Sequence, residues 1–285
     1  DVVYIMQGEY REKLIPKAGL SNAQRTVYSG YGNDRTAVKI LGSEVVTGWQ
    51  PYSGNIYQAP FVAGGQCRLI GGSANYTIRN TNCWIDRNIW LNRGAQNNAG
   101  DSLSDLNAPG EFYYDQNTNQ IYAWMPQSDS PANHQIECSV REGISAGNYT
   151  SVPEVHNFTL QNLTVMQTKG WIRFTPNPGR PGNITIQNNE IAFTTGDGYC
   201  AGNPAAIYHG NSNNYSPDIP NIKILNNKIH DVGSDKGGLN EPNRPANDPT
   251  KIYNNHAGEG IEFYTVKDSL IEGNEIYNTF EAIGV

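Results

Sequence analysis

Gly260-Ile261-Glu262-Phe263 and Ala282-Ile283-Gly284-Val285 carry apolar residues at matching positions, 22 residues apart. Between them lies Ser269-Leu270-Ile271-Glu272-Gly273-Asn274-Glu275-Ile276, a second short apolar run broken at a Gly-Asn. One unit therefore holds at least two short strands and two turns, and then begins again. Self-similarity at this period is the mark of a solenoid, in which each turn buries its apolar face against the next.

The unit recurs upstream. NFTLQNLTV from Asn157, NITIQNNEI from Asn183, NIKILNNKI from Asn221 and DSLIEGNEI from Asp268 align without a gap, their starts 26, 38 and 47 residues apart. A core coil near 22 residues with growing insertions produces that series. Asn189, Asn227 and Asn274 hold one column. An Asn there suits a tight turn, because it tolerates the left-handed region and its amide can bond to the coil above. Unrelated strands in an Asn-rich protein need not share that column. The register predicts a core lined by Ile186, Ile191, Ile224, Ile229, Ile261, Phe263, Ile271 and Ile276.

The N-I-x-I-x-N-N-x-I run followed by a G-I-x-F strand resembles the right-handed parallel β-helix repeat of polysaccharide lyases, many glycoside hydrolases, epimerases and phage tailspikes. The resemblance covers Asn157–Val285 well and Val2–Gly42 more weakly. The opening VVYIMQGEYREKLIP, with Glu44-Val45-Val46-Thr47-Gly48-Trp49 after it, resembles the start of secreted β-helix carbohydrate enzymes. From Trp49 to about Glu142 the coil grammar is lost. The phrase Ala108-Pro109-Gly110-Glu111-Phe112-Tyr113-Tyr114-Asp115, before Ile121-Tyr122-Ala123-Trp124, resembles a β-sandwich module inserted in some β-helix glycoside hydrolases, including the β-xylosidase-like type. The expected fold is all-β: a parallel β-helix over 1–47 and 143–285, continuing in a longer chain, with a β-rich insert over 48–142. Within the insert, strands are expected at Asn75–Ile78, Glu111–Tyr114 and Gln120–Trp124, the last two as a hairpin. Its tryptophans read as core residues before they read as a sugar-stacking platform.

Composition agrees with a turn-rich β protein: charged residues are 16%, with 30 Gly and 17 Tyr in 285 residues. No window sustains a 3.6-residue period, and no apolar run is long enough to span a bilayer. Net charge is −7 with scattered Lys and Arg, which argues against nucleic acid and anionic membranes as partners. Cys67, Cys83, Cys138 and Cys200 allow three pairings, and no C-x-x-C occurs, so zinc is a poor reading. A Cys67–Cys83 bridge within the insert and free buried thiols stand as alternatives.

Side chains alternate along a strand. If Ile172, Ile207, Ile261 and Ile283 point inward, then Arg173, Tyr208, Glu262 and Gly284 form an outward ladder. A glutamate beside a tyrosine, with an arginine beyond, can supply acid–base work and substrate anchoring, although a solvated strand face reads the same way. Asp197 and Glu259 fall in the turns before two of these strands. With Glu262 they offer the carboxylate pairs that glycoside hydrolysis needs. Substrate contacts are expected from Tyr208, Arg173, His209, His256 and Lys236, under walls formed by 211–220 and 232–257. No cofactor is required, though acids and carbonyls in such turns could hold Ca²⁺; His230-Asp231 reads most simply as a turn with a bonded histidine. The resemblance and the acidic ladder together imply a secreted, extracellular, periplasmic or cell-surface protein acting on a polysaccharide or oligosaccharide, with glycosidase favoured. A polysaccharide lyase using Arg173, Tyr208 and Lys236, and a non-enzymatic adhesin, filament or glycan-binding protein, are the alternatives.

Overall fold

Each aligned repeat folds as two short strands about a turn. The pairs are Phe158–Gln161 with Thr164–Met166, Ile184–Gln187 with Glu190–Ala192, Ile222–Leu225 with Lys228–His230, and Leu270–Glu272 with Glu275–Tyr277. A third strand follows each pair: Ile172–Phe174, Ala205–His209, Glu259–Phe263 and Glu281–Gly284. The structure, a computed structural model, describes residues 1–63, 81–87, 89–93, 102–115, 117–126, 129–146, 156–168, 172–174, 182–194, 205–209, 219–232, 259–263, 266–279 and 281–284. The expected strand at Asn75–Ile78 lies outside these residues.

The three kinds of strand build three separate sheets, visited in the same order on each circuit. The first contains Val2–Ile5 and Thr26–Gly30 ahead of the repeat strands, and the second Gly8–Tyr10 and Val38–Leu41. The third begins at Ser145–Ala146. Every strand pair in them is parallel. Ile186 lies opposite Ile224, and Ile224 opposite Ile271; Ile191, Ile229 and Ile276 form the matching row of the second sheet. Ile186, Ile191, Ile224, Ile229, Ile261 and Phe263 are buried in one cluster. Ile271 and Ile276 are only partly buried, because no described rung covers their far side. The all-β expectation and the parallel sheets are therefore observed.

The asparagine column stacks. Asn189 N–H and Nδ2 donate to Asn227 Oδ1 at 3.0 and 3.1 Å. Asn227 does the same to Asn274 Oδ1 at 2.9 and 3.0 Å. Each Nδ2 also donates to a backbone carbonyl of the adjoining coil, Leu160, Ile186 or Ile224. Buried turn amides thus find partners without water. The left-handed residue is not the column residue itself but the one before it: Asn162, Asn188, Asn226 and Gly273, at φ 59, 56, 54 and 66°. Two successive positions divide the work, the first bending the chain and the second bonding along the stack.

Among the described residues, 43–139 contribute an eight-stranded sheet of different character, antiparallel except where Ile89–Arg93 meets Glu111–Asp115. It starts at Ser43–Val45, earlier than the expected boundary, because that strand pairs with Ile136–Ser139. The hairpin of Glu111–Asp115 and Gln120–Trp124 is as expected. Phe112, Ile121, Ala123, Leu91 and Met125 fill a second core cluster. Cys83 bonds to Cys138, directly opposite it across an antiparallel pair, which corrects the Cys67–Cys83 alternative and removes the free-thiol reading for both. Cys67 and Cys200 lie outside the described residues. Fully buried Trp84 packs on Ala192, Phe193 and Met166, and so joins this sheet to the second parallel sheet. Around that contact Arg11 and Arg87 flank the buried Glu137, and Ser43 Oγ donates to Gln167 Oε1 at 2.8 Å.

Candidate functional site

The third sheet holds the acids singled out from the sequence. Its register sets Arg173 opposite Tyr208, Tyr208 opposite Glu262, and Glu262 opposite Gly284. The backbone therefore lays these four positions in one line. Of Arg173, Tyr208 and His209 only the backbone is described; Asp197, Lys236 and His256 lie outside the described residues.

Ile261 and Phe263 belong to the core cluster, so alternation turns Glu262 to the outer face. The alternation then breaks. Ala206 and Ile207, successive in the neighbouring strand, are both fully buried in that same cluster. A Cβ on Gly260 would lie 2.7 Å from Ile276 Cγ2, a core atom, and 2.7 Å from the Ala282 carbonyl. Gly260 therefore faces inward together with Ile261, as Ala206 does with Ile207, but here a methyl would crowd Ile276 and the Ala282 carbonyl. Glu259, one residue earlier, is thrown outward onto the face of Glu262. Its carboxylate confirms this: Oε2 lies 2.7 Å from where a Cβ of Gly284 would be, and Cδ 3.1 Å. Gly284 is the residue opposite Glu262, about 4.8 Å away across the sheet. The Glu259 carboxyl group thus lies against Gly284, the next residue in the row of Glu262.

Two expectations change. Glu259 is not in a turn before the strand but is its first residue, within Glu259–Phe263. Glu262 faces outward but is not open to solvent: it is 3% exposed and Glu259 is 5%. The face is covered there. Gly284 takes its expected place in the ladder, but the inward turn of Gly260 is missing from the sequence reading. The signal for it is a glycine lying between two acids, Glu259 and Glu262, of one strand.

A second polar cluster lies on the outer face of the second sheet. His230 is held between two carboxylates, with Nδ1 2.6 Å from Asp231 Oδ2 and Nε2 3.0 Å from Glu190 Oε1. Lys228 Nζ also donates to Glu190 Oε1, at 3.3 Å, and the Tyr277 ring stacks on the imidazole with centroids 4.8 Å apart. Burial works to lower the pKa of His230, but the bonds to Asp231 and Glu190 outweigh it and raise it above the ordinary 6.5. The bond from His230 outweighs burial at Glu190 and, with Lys228, lowers its pKa to about 2. This is an ion network with every member engaged. Among the described residues no group of His, Cys, Asp or Glu is arranged to hold a metal ion, and no helix is long and apolar enough to cross a membrane.

No family model matches the chain, and no curated protein matches it. Among solved structures it is similar to one described as "The complex structure of XylC with xylose", at 15% identity over 96% of this chain and 53% of that one, with a TM-score of 0.49. It is also similar to one described as "Glycoside hydrolase", at 10% identity over 96% of this chain and 70% of that one, with a TM-score of 0.47. The chain spans about half the length of the first. Likeness at this level carries no argument about activity.

Proposed function

We propose that this chain is part of a secreted carbohydrate-active enzyme that hydrolyses glycosidic bonds with Glu259 and Glu262. The observation that carries the reading is the break in alternation at Gly260. It sets two buried carboxyl groups on one face of one strand, with Gly284 leaving room for the first. Carboxyl pairs in water-poor surroundings divide into one protonated and one ionised group. Hydrolysis uses that division: the acid protonates the leaving oxygen, and the carboxylate attacks the sugar or activates water. On this reading Arg173 and Tyr208, in line with Glu262, anchor the substrate, with His209, His256 and Lys236 around them and Asp197 as a third acid.

The scaffold in this proposal is a right-handed parallel β-helix interrupted by an inserted module that carries the antiparallel sheet of residues 43–139. Its support is the fixed order in which each circuit visits the three sheets, together with the near-universal right-handedness of parallel crossovers. Secretion to an oxidising compartment is supported by the Cys83–Cys138 bridge. The line of Arg173, Tyr208 and Glu262 favours a second reading, a lyase in which Arg173 neutralises a uronate and Tyr208 takes the proton. Assays of new reducing ends and of unsaturated-product absorbance, over one panel of polysaccharides and oligosaccharides, separate the two. Reducing ends without the absorbance support hydrolysis, the absorbance supports the lyase, and neither signal on any glycan removes both.

A further inference from the structure

The antiparallel sheet presents a second set of groups, unrelated to Glu259 and Glu262. Phe112 lies opposite Ala123, and Tyr113 opposite Tyr122. Phe112, Ile121 and Ala123 are in the core cluster, so alternation turns Tyr113 and Tyr122 to the other face. There the Tyr113 ring stacks beside Tyr122 at 6.0 Å and 25°. Tyr52 meets Tyr122 edge-on at 5.1 Å, and is itself 48% exposed. Gln58 lies opposite Tyr122 on the neighbouring strand, and Gln50 opposite Gln58 on the next.

The strands that carry this face hold no cation. Gln50–Ser53, Ile56–Pro60, Glu111–Asp115 and Gln120–Trp124 contain no Lys or Arg. Glu111 Oε2 accepts from the backbone N–H groups of Asn107 and Ala108 at 2.8 and 2.9 Å. Asp115 accepts from Asn117 N–H and Thr118 Oγ1 at 2.9 and 2.8 Å. An anionic partner finds no counter-charge on these strands. Burial raises the pKa of the Tyr122 phenol, and Tyr52 and the negative charge of Asp115 add to it. Ring faces edged by phenols and amides match one ligand chemistry: a neutral ring with C–H faces and hydroxyl edges.

We propose that this tyrosine face docks a neutral glycan chain, apart from the carboxylate pair. Tyr52 and Tyr122 take sugar C–H faces, while Gln50, Gln58 and the phenols bond hydroxyls. The site stands whether or not Glu259 and Glu262 cleave glycans. The test is electrophoretic mobility in gels containing mixed-linkage β-glucan, glucomannan, arabinoxylan or galactan, with circular dichroism and light scattering on each variant. At least one polysaccharide should retard the wild type and Glu262→Gln equally. Tyr52→Ala and Tyr122→Ala should each weaken that retardation about tenfold with unchanged spectra, and Tyr122→Phe by less, since it keeps the ring. Retardation by none of the four, or retardation that both alanine variants retain, overturns the proposal. So does a dimer that Tyr52→Ala dissolves, which would make the occupant a second copy of the chain.

Discussion

At the scale of single residues the stack depends on groups that bond between coils. Asn227 accepts from Asn189 and donates to the carbonyl of Ile186, all inside the protein. Asn227→Ala leaves a buried N–H and a buried C=O unsatisfied. It should cost about 2 kcal/mol or more, while Asn274→Ala, in a half-buried rung, should cost less. Urea unfolding of both variants checks the order. Gly260→Ala drives a methyl into Ile276 and the Ala282 carbonyl, which predicts a loss of about 1–3 kcal/mol. An unchanged midpoint would mean that Gly260 does not face inward. The asparagine column was legible because its spacing repeats in the chain. Its division of labour was not, because both Asn188 and Asn189 are plausible turn residues and only φ tells them apart. The inward turn of Gly260 was hidden for a related reason: the alternation rule is silent about where it breaks, and a glycine fits either face.

At the scale of elements, the second sheet carries a charge network with opposite pH limbs. The pKa of Glu190 is lowered from 4.5 to about 2, so its contribution is complete above about pH 4.5 and is lost as pH falls toward 2. His230 is raised above 6.5, so its contribution is complete below 6.5 and is lost as pH rises through the raised value. The difference in Tm between wild type and His230→Gln should therefore be largest near pH 5–6 and smaller at pH 2.5 and pH 9. A difference constant across that range would show that the network adds nothing to stability. The core strands were readable because isoleucine recurs in step with the turns, and Ile186→Ala should cost about 2–5 kcal/mol. Ile271→Ala should cost less, since it is only partly buried. Of the network only the bonded His230-Asp231 turn was readable; Glu190 and His230 are 40 residues apart and meet only once the strands stack.

For the whole molecule, the loss of repeat grammar after Trp49 located the antiparallel sheet but missed its first strand, Ser43–Val45. Three residues with no repeat partner give pattern reading nothing to grip. The Cys83–Cys138 bridge was equally beyond reach, since what selects it among three pairings is strand register. Peptide mapping without reductant should recover Cys83 joined to Cys138, and recovery of Cys83 on Cys67 would contradict the sheet order. The central claim is that Glu259 and Glu262 work as a pair. It is tested most directly by turnover on whichever glycan the wild type cleaves, measured for Glu262→Gln and Glu259→Gln with melting curves alongside. The account predicts that kcat falls by about 100-fold or more in each, with KM little changed and both variants folded. Turnover within about twofold of wild type in folded Glu262→Gln would contradict it and leave the stacked sheets as a scaffold for chemistry elsewhere.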